Sequence, residues 1–279
     1  MITIEGLTKD YGRIRAVDAL DLAIPKGEFF GFLGPNGAGK TTTIRILTTL
    51  TRPSRGRITV GGFDLIRQPR QAKLLIGLAA QNYNLDRELT GRESLHFHGR
   101  LWGLKRRARI RRAEELLDLV GLLKAADKQV REYSGGMKRR LMIARALMHR
   151  PEILFLDEPT VGLDVEGRRQ LWGLLKGINA QGRTIFLTTH YIEEAEELCQ
   201  RVGVIHAGRL IALDSPAALI AAAGRVVVDV FEAGRMNSHF FEDRVQAGRF
   251  ATSLEAAATI RPANLEDAFV KLTGRKVIE

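Results

Sequence analysis

Residues Gly34-Pro35-Asn36-Gly37-Ala38-Gly39-Lys40-Thr41 follow the pattern Gly-x-x-x-x-Gly-Lys-Thr. Glycines at this spacing let the backbone curl so that successive N–H groups point inward as an anion nest. The start of a helix would add partial positive charge at the same spot. Lys40 can reach β- and γ-phosphates, and the Thr41 hydroxyl can ligate Mg²⁺. The plain alternative is a glycine-rich turn with a solvated lysine. Context argues against it: the apolar run Phe29 to Leu33 precedes the loop and a helical pattern, Thr42 to Leu50, follows.

Three further groups offer chemistry at strand ends. Ile153-Leu154-Phe155-Leu156-Asp157-Glu158 is an apolar run ending in two acids. The carboxyl end of a parallel strand faces the crevice where ligands bind. Asp157 there can hold the shell of a Mg²⁺ ion, and Glu158 can polarise an attacking water as general base. His190 closes the run Thr184 to Thr189 and Gln81 closes Ile76 to Ala80. Beside a phosphate site, His190 can contact the γ-phosphate, and the Gln81 amide can touch both Mg²⁺ and the water. Ser134-Gly135-Gly136 opens the helical run Arg139 to Met148 and forms a second anion site by the same dipole argument, or an ordinary N-cap. The Tyr11 ring, just before Gly12, stacks on a nucleobase or is a half-buried turn aromatic; the sequence leaves both open.

The elements that must position these groups are legible in the pattern. Ile2 to Ile24 reads as two strands around the turn Asp10-Tyr11-Gly12-Arg13. Ile58-Thr59-Val60 is a short strand. From Glu88 to Met148 apolar residues recur at helical spacing, as in Leu95, Leu116, Leu117 and Val120. Gly167 to Ile178 reads as a helix. Near-continuous apolar strands alternating with helices imply a parallel sheet covered on both faces. The tail from Ser215-Pro216 contains a strand-like run, Val226 to Phe231, a weakly periodic stretch, Glu232 to Arg249, and a short capped helix, Leu265 to Phe269.

The chain has 279 residues, 45% hydrophobic and 27% charged, with a formal net charge of +11. That length can bury a large core and suits one large domain plus a small one. The basic balance allows nucleic acid, anionic lipid or polyphosphate as a partner without choosing among them. The most apolar stretch, Leu210 to Ala223, is broken by Asp214 and Pro216, and the first residues lack the layout of a signal peptide. A cytosolic chain is therefore expected. The single cysteine, Cys199, reads as a buried or idle thiol. His96 and His98 point to different helix faces and do not make a metal site. The basic run Lys105 to Arg112 reads as a solvated or acid-paired face, with contact to anionic lipid headgroups as the sharper alternative.

Taken in order, Gly34–Thr41, Gln81, Ser134-Gly135-Gly136, Asp157-Glu158, Val161-Gly162-Leu163-Asp164 and His190 resemble the motifs of an ATP-binding cassette (ABC) ATPase. The resemblance covers about Ile2 to Pro216. Leu89-Thr90-Gly91-Arg92-Glu93-Ser94-Leu95, Tyr133 to Arg140 and Leu265 to Phe269 are similar to bacterial exporter ATPases of the drug-resistance and lipo-oligosaccharide group. Most cassettes have Leu and Gln where this chain has Tyr133 and Met137.

The resemblance implies an α/β fold: a P-loop NTPase core with a mostly parallel sheet, an antiparallel β subdomain, an inserted helical subdomain at about 88–148 and a small C-terminal extension. The ATP-binding domain would span 1–216 and the accessory domain 217–279. Nucleotide-binding residues would be Tyr11, Gly34, Pro35, Asn36, Gly37, Ala38, Gly39, Lys40, Thr41, Thr42, Ser134, Gly135, Gly136 and Asp164. Glu158, His190 and Gln81 would be catalytic, and Thr41, Gln81 and Asp157 would hold Mg²⁺. Two copies would meet head to tail around two ATP molecules, with Asp164 crossing the interface. The groove beside Gln81 and the helical block would receive helices of a polytopic membrane permease, making the chain peripheral on the cytoplasmic face of the inner membrane. The expected function is the ATPase motor of an exporter. The rival is a non-transport cassette acting on nucleic acid or ribosomes, but the short span from Gln81 to Ser134 leaves no room for the long coiled coil such proteins usually carry. Nucleic acid is therefore not an expected partner. A third reading, a scaffold that binds ATP without hydrolysing it, conflicts with the presence of Glu158 and His190.

Overall fold

The computed structural model describes residues 1–232, 235–254 and 257–274. Strands β1 (Ile2–Tyr11) and β2 (Ile14–Ile24) form a hairpin turned at Gly12, whose φ of 58° suits a residue without a side chain. β3 (Phe29–Leu33) runs into the glycine loop and α1 (Lys40–Leu47). That helix begins two residues earlier than its apolar pattern suggests, because Gly39 turns the chain with φ 109°. It also stops earlier: Thr49 takes φ 62°, off the helical path.

Next come β4 (Arg55–Val60), β5 (Phe63–Asp64), α2 (Pro69–Leu74) and β6 (Ile76–Ala79). The helical block holds α3 (Gly91–Leu101), α4 (Arg106–Leu119) and α5 (Gly135–Ala146). α3 opens on a capping box in which Thr90 and Glu93 each satisfy the other's backbone N–H. The chain then returns through β7 (Ile153–Asp157), α6 (Val165–Ala180), β8 (Thr184–Thr189), α7 (Ile192–Leu198), β9 (Arg201–His206) and β10 (Arg209–Asp214).

Two sheets build the body. The larger has the order β10-β9-β3-β8-β7-β6 and is parallel except for its edge strand β10. The smaller, β2-β1-β4-β5, is antiparallel. Every residue of β3, β7 and β8 is buried, as expected of parallel strands covered on both faces. The pleat divides them: Phe29, Leu33, Leu154, Leu156, Ile185 and Leu187 pack with the helical block and α6. Phe30, Phe32, Ile153, Phe155 and Phe186 pack with α1 and the antiparallel sheet. On the first face, Cys199 sits so close to Gly31 that any side chain there would collide with its sulfur. Its buried thiol is pushed well above the usual range by desolvation.

The tail contains α8 (Pro216–Ala223), β11 (Val226–Glu232), β12 (Arg235–Phe241), α9 (Arg244–Thr252), β13 (Ala258–Pro262) and α10 (Leu265–Thr273). The stretch Glu232 to Arg249, which shows only weak periodicity as sequence, thus holds a strand and most of a helix. Its strands form a third sheet, β12-β11-β13, with a separate small apolar cluster of Val228, Val230 and Ala247 under α9. By contrast, Leu219 and Ala223 of α8 and Leu265, Ala268 and Phe269 of α10 join the main core. α10 carries its own capping box between Asn264 and Asp267.

Candidate functional site

The order β8-β7-β6 brings three carboxyl ends side by side, next to the loop that leaves β3. His190, Asp157-Glu158 and Gln81 follow from those ends. A cleft of about 160 Å³ opens there. It is lined by Pro35, Asn36, Gly37, Gly39, Lys40, Thr41 and Thr42 of the loop, with Ala16, Gln81 and Glu158.

The loop's shape depends on its outer glycines. A side chain on Gly34 would strike the Ile205 carbonyl, and one on Gly39 would strike that of Ala16. Among the described residues, nothing accepts from the N–H groups of Gly37, Gly39, Lys40, Thr41 or Thr42. α1 has neither a side-chain cap nor an acid in its first turn. A helix start left this way is matched to an external anion.

Lys40 is buried, with Nζ donating to the carbonyls of Gly34 at 2.6 Å and Pro35 at 3.2 Å. The Glu158 carboxylate lies 3.5 Å away. Burial holds the Lys40 amine below its usual range, against the opposing pull of Glu158 and Asp157. Asp157 accepts a 2.6 Å hydrogen bond from the Thr188 hydroxyl, which fixes its rotamer.

Glu158 takes φ 51°, the left-handed region that non-glycine residues rarely adopt. Three contacts hold it there. Its N–H donates to the Thr188 carbonyl at 3.0 Å, and its Oε2 accepts from the His190 N–H at 3.3 Å. The same Oε2 lies 2.6 Å from His190 Nδ1. A carboxylate over a phosphate cradle, oriented by an imidazole, can take a proton from water. The loop's N–H groups and Lys40 can meanwhile carry developing phosphate charge.

Not every residue singled out from the sequence lies at this cleft. Tyr11 ends β1 with its ring 45% exposed and the Lys9 ammonium 4.8 Å above it, and it is not among the lining residues. Ser134 caps α5, its hydroxyl accepting from Met137 N–H at 3.2 Å, and is exposed. Asp164 caps α6 by accepting from Gly167 N–H at 2.7 Å, and is exposed too. Ser134, Gly135, Gly136 and Asp164 line no part of the cleft. The Tyr133 side chain turns inward, donating to the Ala125 carbonyl at 2.7 Å and lying over Gly91, where only glycine leaves room. The departure from Leu at this position therefore serves the packing of the helical block.

Two basic-rich or histidine-rich stretches are structural in part. Arg111 and Arg112 pair with Glu115 at 2.9 and 3.2 Å, while Arg106 and Arg107 are exposed. His98 accepts from the Trp102 indole at 3.1 Å, and burial drives it down to about 4. Among the described residues, no group of three or more His, Cys, Asp or Glu could hold a metal.

Glu194 shows what a residue-type reading overlooks. It lies in the acid run Glu193 to Glu197 yet is fully buried, with Oε2 accepting from the Thr160 hydroxyl at 3.2 Å. The available signal is its place on the same helical stripe as Ala195 and Leu198. Burial pushes its carboxyl up to about 7, from the ordinary 4.5. The folded protein thus holds a proton that the unfolded chain releases, so stability falls as pH rises from about 4.5 to about 7. Glu194→Gln is expected to remove that loss, gaining up to about 3 kcal/mol over wild type at about pH 8 and far less at about pH 5. Urea unfolding at the two pH values measures it; equal gains at both would contradict the assignment.

A parallel sheet with a phosphate loop after one strand and an acid pair after another defines a nucleotide-hydrolysing cassette. Residues 17–161 match the profile of the ABC transporter family. The daunorubicin resistance ATP-binding protein DrrA3 of Streptomyces coeruleorubidus is 47% identical over 85% of this chain and 76% of its own length. The Nod factor export ATP-binding protein I of Cupriavidus metallidurans is 41% identical, covering 99% of this chain and 98% of its own. A dimeric ATP-binding cassette solved in a post-hydrolysis state with ADP and Pi aligns with a TM-score of 0.70 and 28% identity, over 77% of this chain and 98% of that one. The cbiO1 protein of Clostridium perfringens, part of the transporter complex cbiONQ, aligns at 0.73 and 28%, over 79% and 90%. The chain belongs to the ABC transporter family, and its fold is that of an ABC ATPase that binds ATP.

Proposed function

We propose that this chain is the ATP-hydrolysing motor of an exporter, acting as a homodimer on a polytopic membrane permease. One observation carries the chemistry: the anion-ready loop, Lys40, Gln81 and Glu158 line one cleft, with His190 Nδ1 2.6 Å from the Glu158 carboxylate. The names of the relatives, resistance to daunorubicin and export of Nod factor, support the export role. Residues 1–216 would be the ATP-binding domain, with the helical subdomain at about 88–148, and 217–279 the accessory domain.

The nucleotide's phosphates lie on Gly34 to Thr42, with Lys40 exchanging its two carbonyl partners for β- and γ-phosphate oxygens. Thr41, Gln81 and Asp157 offer a hydroxyl, an amide and a carboxylate, a hard-oxygen set that suits Mg²⁺ supplemented by water and phosphate. When bound, that ion supplies charge neutralisation on the phosphate oxygens. Water attacks the γ-phosphorus and passes a proton to Glu158, the bond to the β-phosphate oxygen breaks, and ADP and phosphate leave. His190 holds Glu158 in place and reaches toward the γ-phosphate.

Ser134, Gly135 and Asp164, which are exposed, and the half-buried Gly136, all outside the cleft lining, would complete the site of a second copy. That the solved relative is a dimeric structure bound to ADP and Pi supports this. Ser134→Arg is accordingly expected to leave nucleotide binding to the single chain intact while hydrolysis falls at least about tenfold. Fluorescent-nucleotide titration and phosphate release measure the two; normal hydrolysis would contradict the cross-copy role.

Among the described residues no helix is long and apolar enough to cross a membrane. Attachment at the cytoplasmic face of the inner membrane would come through the permease. The test is recovery of tagged Glu158→Gln chain from native membranes in mild detergent with Mg-ATP. A polytopic membrane protein should come with it. Ribosomes or nucleic acid alone would remove the export role and leave the cassette chemistry standing.

A further inference from the structure

Arg139, five residues after Ser134 on α5, is the largest fully buried side chain among the described residues, 1% exposed. Among the described residues no carboxylate lies within ion-pair distance of it, although Asp157, Glu158 and Glu194 act on it from further off. Its fork instead meets three backbone carbonyls: Nη1 donates to Ala80 at 2.9 Å, and Nη2 donates to Gln81 at 3.1 Å and to Glu158 at 3.4 Å. A single nitrogen therefore bridges the peptide of Gln81 and the peptide of Glu158, the two residues whose side chains share the cleft. The Tyr83 ring lies 5.0 Å below the guanidinium, and its hydroxyl donates to Gly135 at 3.3 Å, closing a loop back to the start of α5.

Burying a guanidinium without a countercharge is costly. An apolar side chain of similar length would fill the same space without that cost. The Nε of Arg139 also has no acceptor. Space-filling alone thus gives no reason for an arginine here. What the fork supplies is a fixed separation between two strand ends, together with a hold on the strained Glu158 peptide. α5 is a rigid element whose first turn carries Ser134-Gly135-Gly136, so a shift of that turn is felt at Arg139.

We infer that Arg139 is a positioning residue that ties the Ser134 helix to the peptides of Gln81 and Glu158, so that the second copy's nucleotide is sensed at the general base. The inference rests on the ATPase reading above. Arg139 donates to the carbonyls of Ala80, Gln81 and Glu158 and does not line the cleft, so its loss should spare nucleotide affinity and disturb the placement of Glu158.

The test is steady-state hydrolysis by the full chain with Mg-ATP, for wild type, Arg139→Met and Arg139→Lys, alongside fluorescent-nucleotide titration and thermal melting. In Arg139→Met, kcat is expected to fall at least about tenfold, with KM and nucleotide affinity within about threefold of wild type. Arg139→Lys, which keeps the charge but not the fork, is expected to fall in between. A structural role would instead lower the melting temperature and affinity together, or leave kcat unchanged in Met. Turnover in the wild type that either folded variant retains in full would overturn this inference alone. A wild-type chain with no turnover would overturn the ATPase reading and this inference with it.

Discussion

Glu158→Gln is expected to lower the rate of phosphate release by at least about a hundredfold while nucleotide binding persists. The amide is nearly isosteric with the carboxylate, so the same left-handed backbone at φ 51° and the same N–H donation to Thr188 are retained. What disappears is the capacity to accept a proton from water. The contact with His190 Nδ1 at 2.6 Å survives as an ordinary hydrogen bond, which keeps the imidazole in place. Removing one negative charge 3.5 Å from Lys40 also frees the amine to turn toward phosphate, so affinity should hold or rise. With hydrolysis blocked, the closed pair of chains has no route to open, and the population shifts toward it. Size-exclusion chromatography with Mg-ATP should show a dimer. A monomer at saturating nucleotide would contradict the sandwich arrangement, and wild-type turnover would remove Glu158 as the base.

The legible part of this fold is the part where local chemistry and global position coincide. Phe29 to Leu33, Ile153 to Leu156 and Thr184 to Thr189 are apolar without interruption because both faces of their sheet are covered, and each is the strand that the pattern implies. Gly34 to Thr41 is readable because its glycine spacing is set by the curl of the loop itself, and here Gly34 and Gly39 also leave room for the Ile205 and Ala16 carbonyls. Gln81, Asp157, Glu158 and His190 were each assignable to a strand end; only the strand order, which no local pattern encodes, makes those ends neighbours.

Less legible were residues whose role contradicts their type. Arg139 sits between Lys138 and Arg140, and Glu194 between other acids, so each resembles a solvated charge run. Their burial is set by helix phase and by what lies across the interface. β12 and α9 were obscured for another reason. Only a few of their residues, such as Phe241, Ala247 and Phe250, pack into the small cluster beneath them, which leaves the rest free to be polar. Tyr11, just before the Gly12 turn, ends its strand with an exposed ring under Lys9, outside the lining of the phosphate cleft.

Lys40→Ala should weaken nucleotide binding about ten- to a hundredfold and reduce hydrolysis to background. The amine already lies where the phosphate must arrive, donating to Gly34 at 2.6 Å and Pro35 at 3.2 Å. Those carbonyls are replaceable partners: phosphate oxygens carry full charge and exchange for them without moving the backbone. Burial lowers the amine's basicity, and the nearby Glu158 and Asp157 carboxylates oppose that shift. Alanine removes a charge-assisted hydrogen bond to the γ-phosphate in the ground state and a larger share in the transition state, where charge gathers on the leaving oxygen. It also removes the ammonium 3.5 Å from the Glu158 carboxylate, leaving the cleft less neutralised and less favourable to ATP. Both effects act in the same direction, so the loss should exceed that of deleting an uncharged contact. Titration with a fluorescent nucleotide and phosphate release, with a melting curve to establish that the variant is folded, make the measurement. Wild-type hydrolysis in a folded Lys40→Ala chain would remove the loop from Gly34 to Thr41 as the phosphate site. Lost hydrolysis with unchanged affinity would confine Lys40 to the transition state.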